Sequence, residues 1–224
     1  MPPHSLPNYP KFTREQDLAN LAKNLLAEPL GHSRATGGPS DFDLNPDAET
    51  EADNETDGAP LTAAAVLVPL VTGGASLSVL LTERTAHLAQ HPGQIAFPGG
   101  KIEPADQGPL AAALREANEE IGLDPRFIEL LGYIEPYRTG TGFLVTPVIA
   151  AIKPGFTLTP DASEVADVFE VPFDFLMDTR NHRIDSRFWR GADRRFYAMP
   201  YKDRYIWGAT AGIIRTLHRR LFTT

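Results

Sequence analysis

Three glutamates are grouped near the end of one predicted helix. Glu116, Glu119 and Glu120 lie in the stretch LAAALREANEEIGL, residues 110–123, at the spacing i, i+3 and i+4. Residues at these spacings are neighbours on a helix surface, and like charges there repel by about 0.2–0.5 kcal/mol per pair. A divalent cation would reverse this repulsion, because it takes oxygen ligands that are held close together. The alternative is a solvated acidic face on which Arg115 pairs with Glu119.

A turn with paired glycines precedes this helix. Residues 97–100, FPGG, could bring the backbone close to a ligand, since glycine tolerates positive φ angles. A carbonyl group of this turn would then be a metal ligand beside the helix. Asp106 would cap the helix or pair with Arg115. An ordinary turn without a ligand is the alternative interpretation.

Together these residues resemble the Nudix box, the pattern G-x5-E-x7-R-E-U-x-E-E-x-G-U in which U is bulky and apolar. From Gly100 to Leu123 the chain reads GKIEPADQGPLAAALREANEEIGL. The stretch from Arg115 onward carries the fixed positions of the box, although Ala117 is small for U. Asp106 stands where the family has Glu, and eight residues rather than seven separate it from Arg115.

A second signature just upstream resembles the coenzyme A pyrophosphatase branch of the same superfamily. That branch has roughly L-L-T-x-R-S/A-x3-R-x3-G-x3-F-P-G-G, and residues 80–100 read LLTERTAHLAQHPGQIAFPGG. The spacing agrees throughout. Thr85 replaces Ser or Ala, and Ala89 replaces the second Arg. The resemblance covers about residues 60–215.

The resemblance implies a diphosphate hydrolase that uses Mg²⁺ or Mn²⁺, and it gives roles to individual residues. The expected metal ligands are Glu116, Glu119 and Glu120. The expected catalytic residues are Glu116, Glu119, Arg115 and Glu164. Among these, Arg115 orients the glutamates, and Glu116 or Glu164 is the general base. The expected substrate-binding residues are Arg84, His91, Gln94, Gly99 and Gly100, with His87 as a further candidate.

Three functions stay open at this point. The first is hydrolysis of coenzyme A or acyl-coenzyme A to adenosine 3′,5′-bisphosphate and (acyl-)4′-phosphopantetheine. The second is the same chemistry on ADP-ribose, a dinucleoside polyphosphate or a nucleotide sugar. The third is a non-catalytic module that binds a nucleotide. The expected partner is a small nucleoside diphosphate molecule rather than a nucleic acid or a membrane. A homodimer also stays open, and the Arg-rich stretch 183–195 is interpreted as a solvated edge or a phosphate site.

The acidic character of the chain belongs to one segment. Eight of its 29 acidic residues lie within residues 41–57, which leaves 21 acids elsewhere against 21 Lys and Arg. The net charge of −8 therefore says little about the substrate. Cysteine is absent, which excludes disulfides and thiolate metal sites. No apolar run reaches the roughly 18 residues of a membrane span, and the N-terminus lacks a signal-peptide pattern, so we expect a soluble cytoplasmic protein.

Predicted strands and helices are mixed from residue 61 onward, with hairpins as well as crossovers. This mixture indicates an α/β protein, a Nudix-type α/β/α sandwich around a mixed β-sheet. Residues 1–58 are predicted to form a largely disordered N-terminal extension, with a short helix at about 13–27 and an acidic linker at 28–58. We expect this extension to be dispensable for activity. Residues 59–224 are predicted to form the hydrolase domain.

Overall fold

A computed structural model describes residues 15–31, 38–48, 60–87, 93–189 and 191–223 of the 224-residue chain. Within these residues, eight strands form one mixed sheet: β1 (Thr62–Val71), β2 (Ser78–Arg84), β3 (Ile95–Ala96), β4 (Gly99–Lys101), β5 (Ile128–Tyr133), β6 (Tyr137–Arg138), β7 (Phe143–Ile152) and β8 (Val165–Pro172). The main path is β3–β2–β1–β7–β5, and β4, β6 and β8 lie beside β1, β7 and β2. Strands β1 and β7 are parallel, whereas the other neighbours are antiparallel.

Helices cover both faces of this sheet: α1 (Glu15–Ala22), α2 (Pro109–Ile121), α3 (Phe173–Met177) and α4 (Ala209–Phe222). Successive residues of a strand point to opposite faces. Accordingly, Ala65 and Leu67 of β1 pack in one core with α2, while Val68 and Leu70 pack in a second core with the other helices. The predicted α/β/α sandwich is thereby confirmed. No helix in the described part of the chain is long and apolar enough to cross a membrane.

A second, antiparallel sheet follows, formed by β9 (Arg183–Trp189), β10 (Ala192–Tyr201) and β11 (Arg204–Trp207). The sequence does not predict it, because charged and apolar residues follow one another there without a sustained period-2 alternation. Arg204 attaches this sheet to the main one through ion pairs with Glu83 and Asp167. Residues 183–189 and 192–195 of the Arg-rich stretch therefore lie on two paired strands.

The N-terminal helix α1 is shorter than the predicted span of 13–27, but it belongs to the core. Leu21 and Leu25 are buried against the main sheet. Leu26 and Tyr133 exchange two backbone hydrogen bonds of 2.9 Å, which extends the edge of β5. Gly132 makes this approach possible, since a Cβ there would lie 2.7 Å from the Leu26 carbonyl oxygen. Because of these contacts, we expect deletion of residues 1–58 to destabilise the domain, contrary to the expectation from the sequence that this extension is dispensable.

Residues 38–48 also have defined contacts, although the sequence places them in the predicted acidic linker. Phe42 and Ala48 are buried. Ser40 forms a parallel bridge with Arg138 of β6. Composition alone favours a linker here, because large apolar residues are few, yet those few contact the domain. The rest of the predicted linker, apart from residues 28–31, lies outside the described residues.

We expect Leu21→Ala to lower the free energy of unfolding by about 2–4 kcal/mol, because it leaves a cavity at a fully packed site. Leu21 is only 2% exposed. Urea unfolding followed by circular dichroism measures the change. The exposed Lys23 offers a control: Lys23→Ala should change stability by less than about 0.5 kcal/mol. Equal stability of both variants would contradict the packing of α1 on the core.

Candidate active site

Helix α2 presents its glutamates to the glycine turn because its opposite face is fixed. Its buried alanines and Ile121 pack on β1 and β7. Proline at the first helical position has a φ angle suited to the helix start. At the other end Gly122 adopts a left-handed conformation with φ 66°, and its N–H closes the last turn, which confirms the predicted C-cap. The side chains of Glu116 and Glu120 are thereby directed toward β4.

Glu120 is the most deeply placed of the three glutamates. It is only 7% exposed, and its Oε2 accepts a hydrogen bond of 3.1 Å from the Gly99 N–H. Burial raises the pKa of Glu120 to about 7. The Gly99 N–H opposes this rise, and the charge of Glu116 adds to it. Arg84 is the nearby cation, with its Nη1 4.0 Å from Glu120 Oε1. A carboxylate held in this way lacks close charge compensation.

Glu116 lies against the other glycine of the turn. A Cβ at position 100 would stand 2.3 Å from Glu116 Oε1, so a side chain larger than hydrogen would displace the carboxylate. The pKa of Glu116 is raised by burial, against the lowering effect of Arg115, and the charges of Glu119 and Glu164 raise it further. Both glutamates therefore meet at the Gly99–Gly100 turn with pKa values above the ordinary value for a glutamate.

Arg115 holds the surroundings of these carboxylates together. Its guanidinium donates to both Asp106 oxygens, at 3.1 and 3.0 Å, and to the Lys101 carbonyl at 3.1 Å. Its Nη1 donates to Glu116 and Glu119, each at 3.0 Å. The Arg115 hydrogen bond holds the pKa of Asp106 below its usual value. The predicted pair of Asp106 with Arg115 is confirmed, and the Arg115–Glu119 pair of the alternative interpretation is present as well.

The carboxylates are not gathered around one point. Among the described residues, no three His, Asp or Glu side chains form a group that could hold a metal ion. Glu116 and Glu119 turn toward Arg115, and Glu120 turns toward Gly99. The chemistry of the donors still fits a divalent cation, since Glu116 and Glu120 are shielded hard oxygen ligands whose repulsion a cation would relieve. Glu119, with a side chain 59% exposed, is the outermost of the three.

A cavity of about 750 Å³ opens beside these groups. It is lined by seven of the predicted site residues: Arg84, Gln94, Gly99, Gly100, Glu116, Glu120 and Glu164. Arg115 and Glu119 lie outside the lining, as does His87, whose ring nitrogen contacts the Ser163 carbonyl at 3.2 Å. His91 lies outside the described residues. Several other residues line the cavity that were not among the predicted site residues: Ser40, Asp41, Phe42, Leu44, Asn45, Ala48, Phe196, Tyr197 and Trp207.

Two groups of cations face the cavity. The Nε of Arg84 is buried and, within the described residues, has no hydrogen-bond partner. Arg187, Arg194 and Arg195 of the second sheet also line the cavity, and Arg187 stands directly opposite Arg194 in the register of β9 and β10. Like charges directly opposite on neighbouring strands are destabilising. The high Arg content of residues 183–195 was the signal in the sequence for this group.

The sandwich fold, the glutamate-bearing helix and its glycine turn define a hydrolase of the Nudix type. The NUDIX domain model matches residues 60–190, and the chain belongs to this family. It is 44% identical to "Uncharacterized Nudix hydrolase NudL" of Enterobacter sp. (strain 638) over 155 residues, which are 69% of this chain and 80% of that protein. The protein of the same name from Escherichia coli (strain K12) is 41% identical with the same coverage.

Solved structures with a similar fold are also found. The NUDIX domain of Shewanella oneidensis NrtR in complex with ADP ribose is 19% identical, with a TM-score of 0.46 over 79% of this chain and 98% of that chain. A C. elegans Ap4A hydrolase in a binary complex is 18% identical, with a TM-score of 0.44 over 50% and 80% of the two chains. The family membership makes this chain a hydrolase of a nucleoside diphosphate derivative. The alternative of a non-catalytic module is therefore set aside.

Proposed function

We propose that the protein hydrolyses the diphosphate bond of coenzyme A or acyl-coenzyme A. The products are adenosine 3′,5′-bisphosphate and 4′-phosphopantetheine or its acyl derivative. The observation that carries this proposal is the pairing of charges in one cavity, with the buried Glu120 and the partly buried Glu116 beside the glycine turn and three arginines on the second sheet. The glutamates would hold the cation that a diphosphate needs. Coenzyme A also carries an additional phosphate, which the arginines would bind. The resemblance of residues 80–100 to the coenzyme A branch supports the same substrate.

Glu116 and Glu120 are the residues that would hold a divalent cation, Mg²⁺ or Mn²⁺. The carbonyl group of Gly100 would be a further oxygen donor at the same turn, and the carboxylate of Glu119 would have to turn away from Arg115 to join it. When bound, the cation would neutralise negative charge on the phosphoryl oxygens. Without this neutralisation, the carboxylates that line the cavity would repel a diphosphate.

The side chains around these ligands position the reacting groups. Arg115 keeps Glu116 and Glu119 in place through its two hydrogen bonds of 3.0 Å. Arg84, whose Nη1 lies 4.0 Å from Glu120 Oε1 at the cavity, would donate from its guanidinium to a phosphate oxygen of the substrate. Water attacks one phosphorus atom, the bridging P–O bond breaks, and a carboxylate accepts the proton of the water. Glu164, an exposed residue that lines the cavity, and Glu116 are the two candidates for this base.

A panel of substrates with Mg²⁺ tests the proposal. It contains coenzyme A, an acyl-coenzyme A, ADP-ribose and diadenosine polyphosphates, and the products are identified by mass spectrometry. We expect the coenzyme A compounds to have the highest kcat/KM, with adenosine 3′,5′-bisphosphate as the common product. Glu120→Gln protein is the control for contaminating hydrolases. A preference for ADP-ribose or a dinucleoside polyphosphate would contradict the proposal while leaving the type of reaction intact.

One residue favours the second candidate, another nucleoside diphosphate derivative. Ala89 stands where the coenzyme A signature has its second Arg, and it lies outside the described residues. If that Arg binds acidic groups of coenzyme A, the arginines of β9 and β10 have to replace it. The comparison of coenzyme A with 3′-dephospho-coenzyme A tests whether the arginines of β9 and β10 bind the 3′-phosphate. We expect at least about a tenfold higher kcat/KM for coenzyme A, since an arginine–phosphate contact contributes about 1.5–3 kcal/mol.

A further inference from the structure

Part of the cavity wall comes from a segment that precedes the main sheet in the chain. Residues 38–48, called the N-terminal wall below, lie outside the stretch matched by the family model. Six of them line the cavity: Ser40, Asp41, Phe42, Leu44, Asn45 and Ala48. Three of these six residues, Phe42, Leu44 and Ala48, give the cavity apolar side chains. The other side chains of this region include Phe196, Tyr197 and Trp207.

Asp41 attaches one side of the N-terminal wall to the main sheet. Its Oδ1 accepts a hydrogen bond of 2.9 Å from the buried Tyr137 hydroxyl, and its Oδ2 accepts one of 2.8 Å from the Gly140 N–H. The backbone continues this attachment, with bonds of 3.0 Å between Asp41 N–H and the Arg138 carbonyl and between Arg138 N–H and the Pro39 carbonyl. The Arg138 guanidinium also lies over the Phe42 ring, 5.0 Å from its centre. At Ser40 the wall therefore forms a single parallel bridge beside β6.

Asn45 attaches the other side of the wall to the second sheet. Its Nδ2 donates to the Arg195 carbonyl at 2.7 Å, and its Oδ1 accepts from the Arg195 N–H at 2.8 Å. A side-chain amide that makes both bonds replaces a neighbouring strand at this point of β10. The wall thus spans from β6 to β10 and fixes the backbone beside one of the cavity arginines.

The register of the sheet gives the distance from this wall to the reacting groups. Lys101 of β4 pairs with Ala64, Ala64 with Val145, and Val145 with Tyr137 of β6, beside which the wall lies. Four strand spacings of about 4.8 Å place the wall roughly 19 Å from β4. Glu116 contacts β4 through Gly100. A substrate whose diphosphate lies at Glu116 therefore meets the wall with a remote part of the molecule.

We propose that the N-terminal wall determines specificity by binding an apolar or aromatic group that the substrate carries away from its diphosphate, and that Asp41 positions this wall. The inference rests on the proposed function, since it takes the diphosphate to lie at the glutamates. Asp41 itself acts through the wall and does not touch the reacting atoms. Its removal should weaken substrate binding and leave the chemical step intact.

The test compares two isosteric changes that each remove one negative charge from the same segment. Asp41→Asn replaces the carboxylate that accepts from the Tyr137 hydroxyl and the Gly140 N–H with a neutral amide, so the charge-assisted bonds that anchor the wall are lost or become weaker neutral ones. Asp47→Asn changes an exposed residue that does not line the cavity. KM and kcat are measured in full-length protein with Mg²⁺ for the best substrate of the panel, and ligand binding is measured by calorimetry with Ca²⁺ in place of Mg²⁺, so that a divalent cation is present. We expect Asp41→Asn to raise KM and the dissociation constant about tenfold, with kcat within about twofold.

The outcomes separate this inference from the proposed function. Equal KM values and equal dissociation constants for wild type, Asp41→Asn and Asp47→Asn would reject the wall as a binding element, even if coenzyme A is hydrolysed. A fall in kcat at unchanged KM would equally reject it. A panel in which no member binds or is hydrolysed would reject both proposals. If Asp41→Asn does not fold, Leu44→Ser replaces it, because this change alters the apolar lining and leaves the anchors in place; the same rise in KM is expected.

Discussion

Glu120→Gln is expected to lower kcat by at least about a hundredfold while the protein stays folded. The amide has the size of the carboxylate, and its oxygen can accept the Gly99 N–H bond of 3.1 Å. It lacks the charge that would hold a divalent cation beside the Gly99–Gly100 turn. Packing is therefore preserved, whereas the stabilisation of charge on the phosphoryl oxygens is lost.

Steady-state kinetics with Mg²⁺, together with circular dichroism, measure this effect. The matched control is Glu103→Gln, since Glu103 is exposed near the same turn and does not line the cavity. We expect the control to retain activity within about twofold, as distant surface changes usually do. Wild-type turnover by folded Glu120→Gln protein would remove the metal assignment from this residue.

Glu120 is expected to support catalysis but to lower the stability of the folded protein when no metal is bound. Burial raises the pKa of Glu120 from 4.5 to about 7. Between these values the unfolded chain is ionised at this position and the folded protein stays protonated. The folded state then binds more protons, so its stability falls as pH rises through this window. The penalty is complete above about pH 7 and is on the order of 3 kcal/mol.

Urea unfolding in EDTA, at several pH values, measures this difference. Glu120→Gln protein should unfold with nearly the same free energy as wild type at about pH 4.5, and should be the more stable of the two at about pH 8. The comparison isolates Glu120 from other groups that titrate in this range. Added Mg²⁺ should reduce or reverse the advantage, since a ligand stabilises the folded protein that binds it. A pH-independent difference between the two proteins would contradict the shifted pKa.

The part of the site on and next to helix α2 was predictable from the sequence, because its residues are close together in the chain. A helix brings residues three and four apart together, so the grouping of the glutamates follows from their positions, and Gly122 indicates the helix end. The pair of Asp106 with Arg115 needs only a short excursion of nine residues. Even here the sequence does not reveal orientation: Glu119, a predicted ligand, is exposed and bonded to Arg115. Its role as a ligand stays a prediction.

The remote part of the site was not predictable for a physical reason. Asn45 meets Arg195 across 150 residues, and Asp41 meets Tyr137 across 96. Such contacts depend on where two elements lie after folding, which no local period encodes. The acidic composition around residues 41–57 favours a linker, because a few anchoring side chains such as Phe42 hardly change its average. The strands β9 and β10 pair locally and were missed for a different reason, since their charged and apolar residues show no sustained period-2 alternation, although their arginines were noticed.

The attachment of Asn45 to β10 has a consequence for how such a protein diversifies. The Asn45 amide bonds to the backbone of Arg195 and not to its side chain. Residue 195 can therefore be substituted without loss of these two hydrogen bonds. Under the proposed role of the N-terminal wall, bond cleavage and part of the choice of substrate lie on separate stretches of polypeptide. Variants that accept new compounds can then be sought by randomising residues 38–48, with the catalytic helix left unchanged.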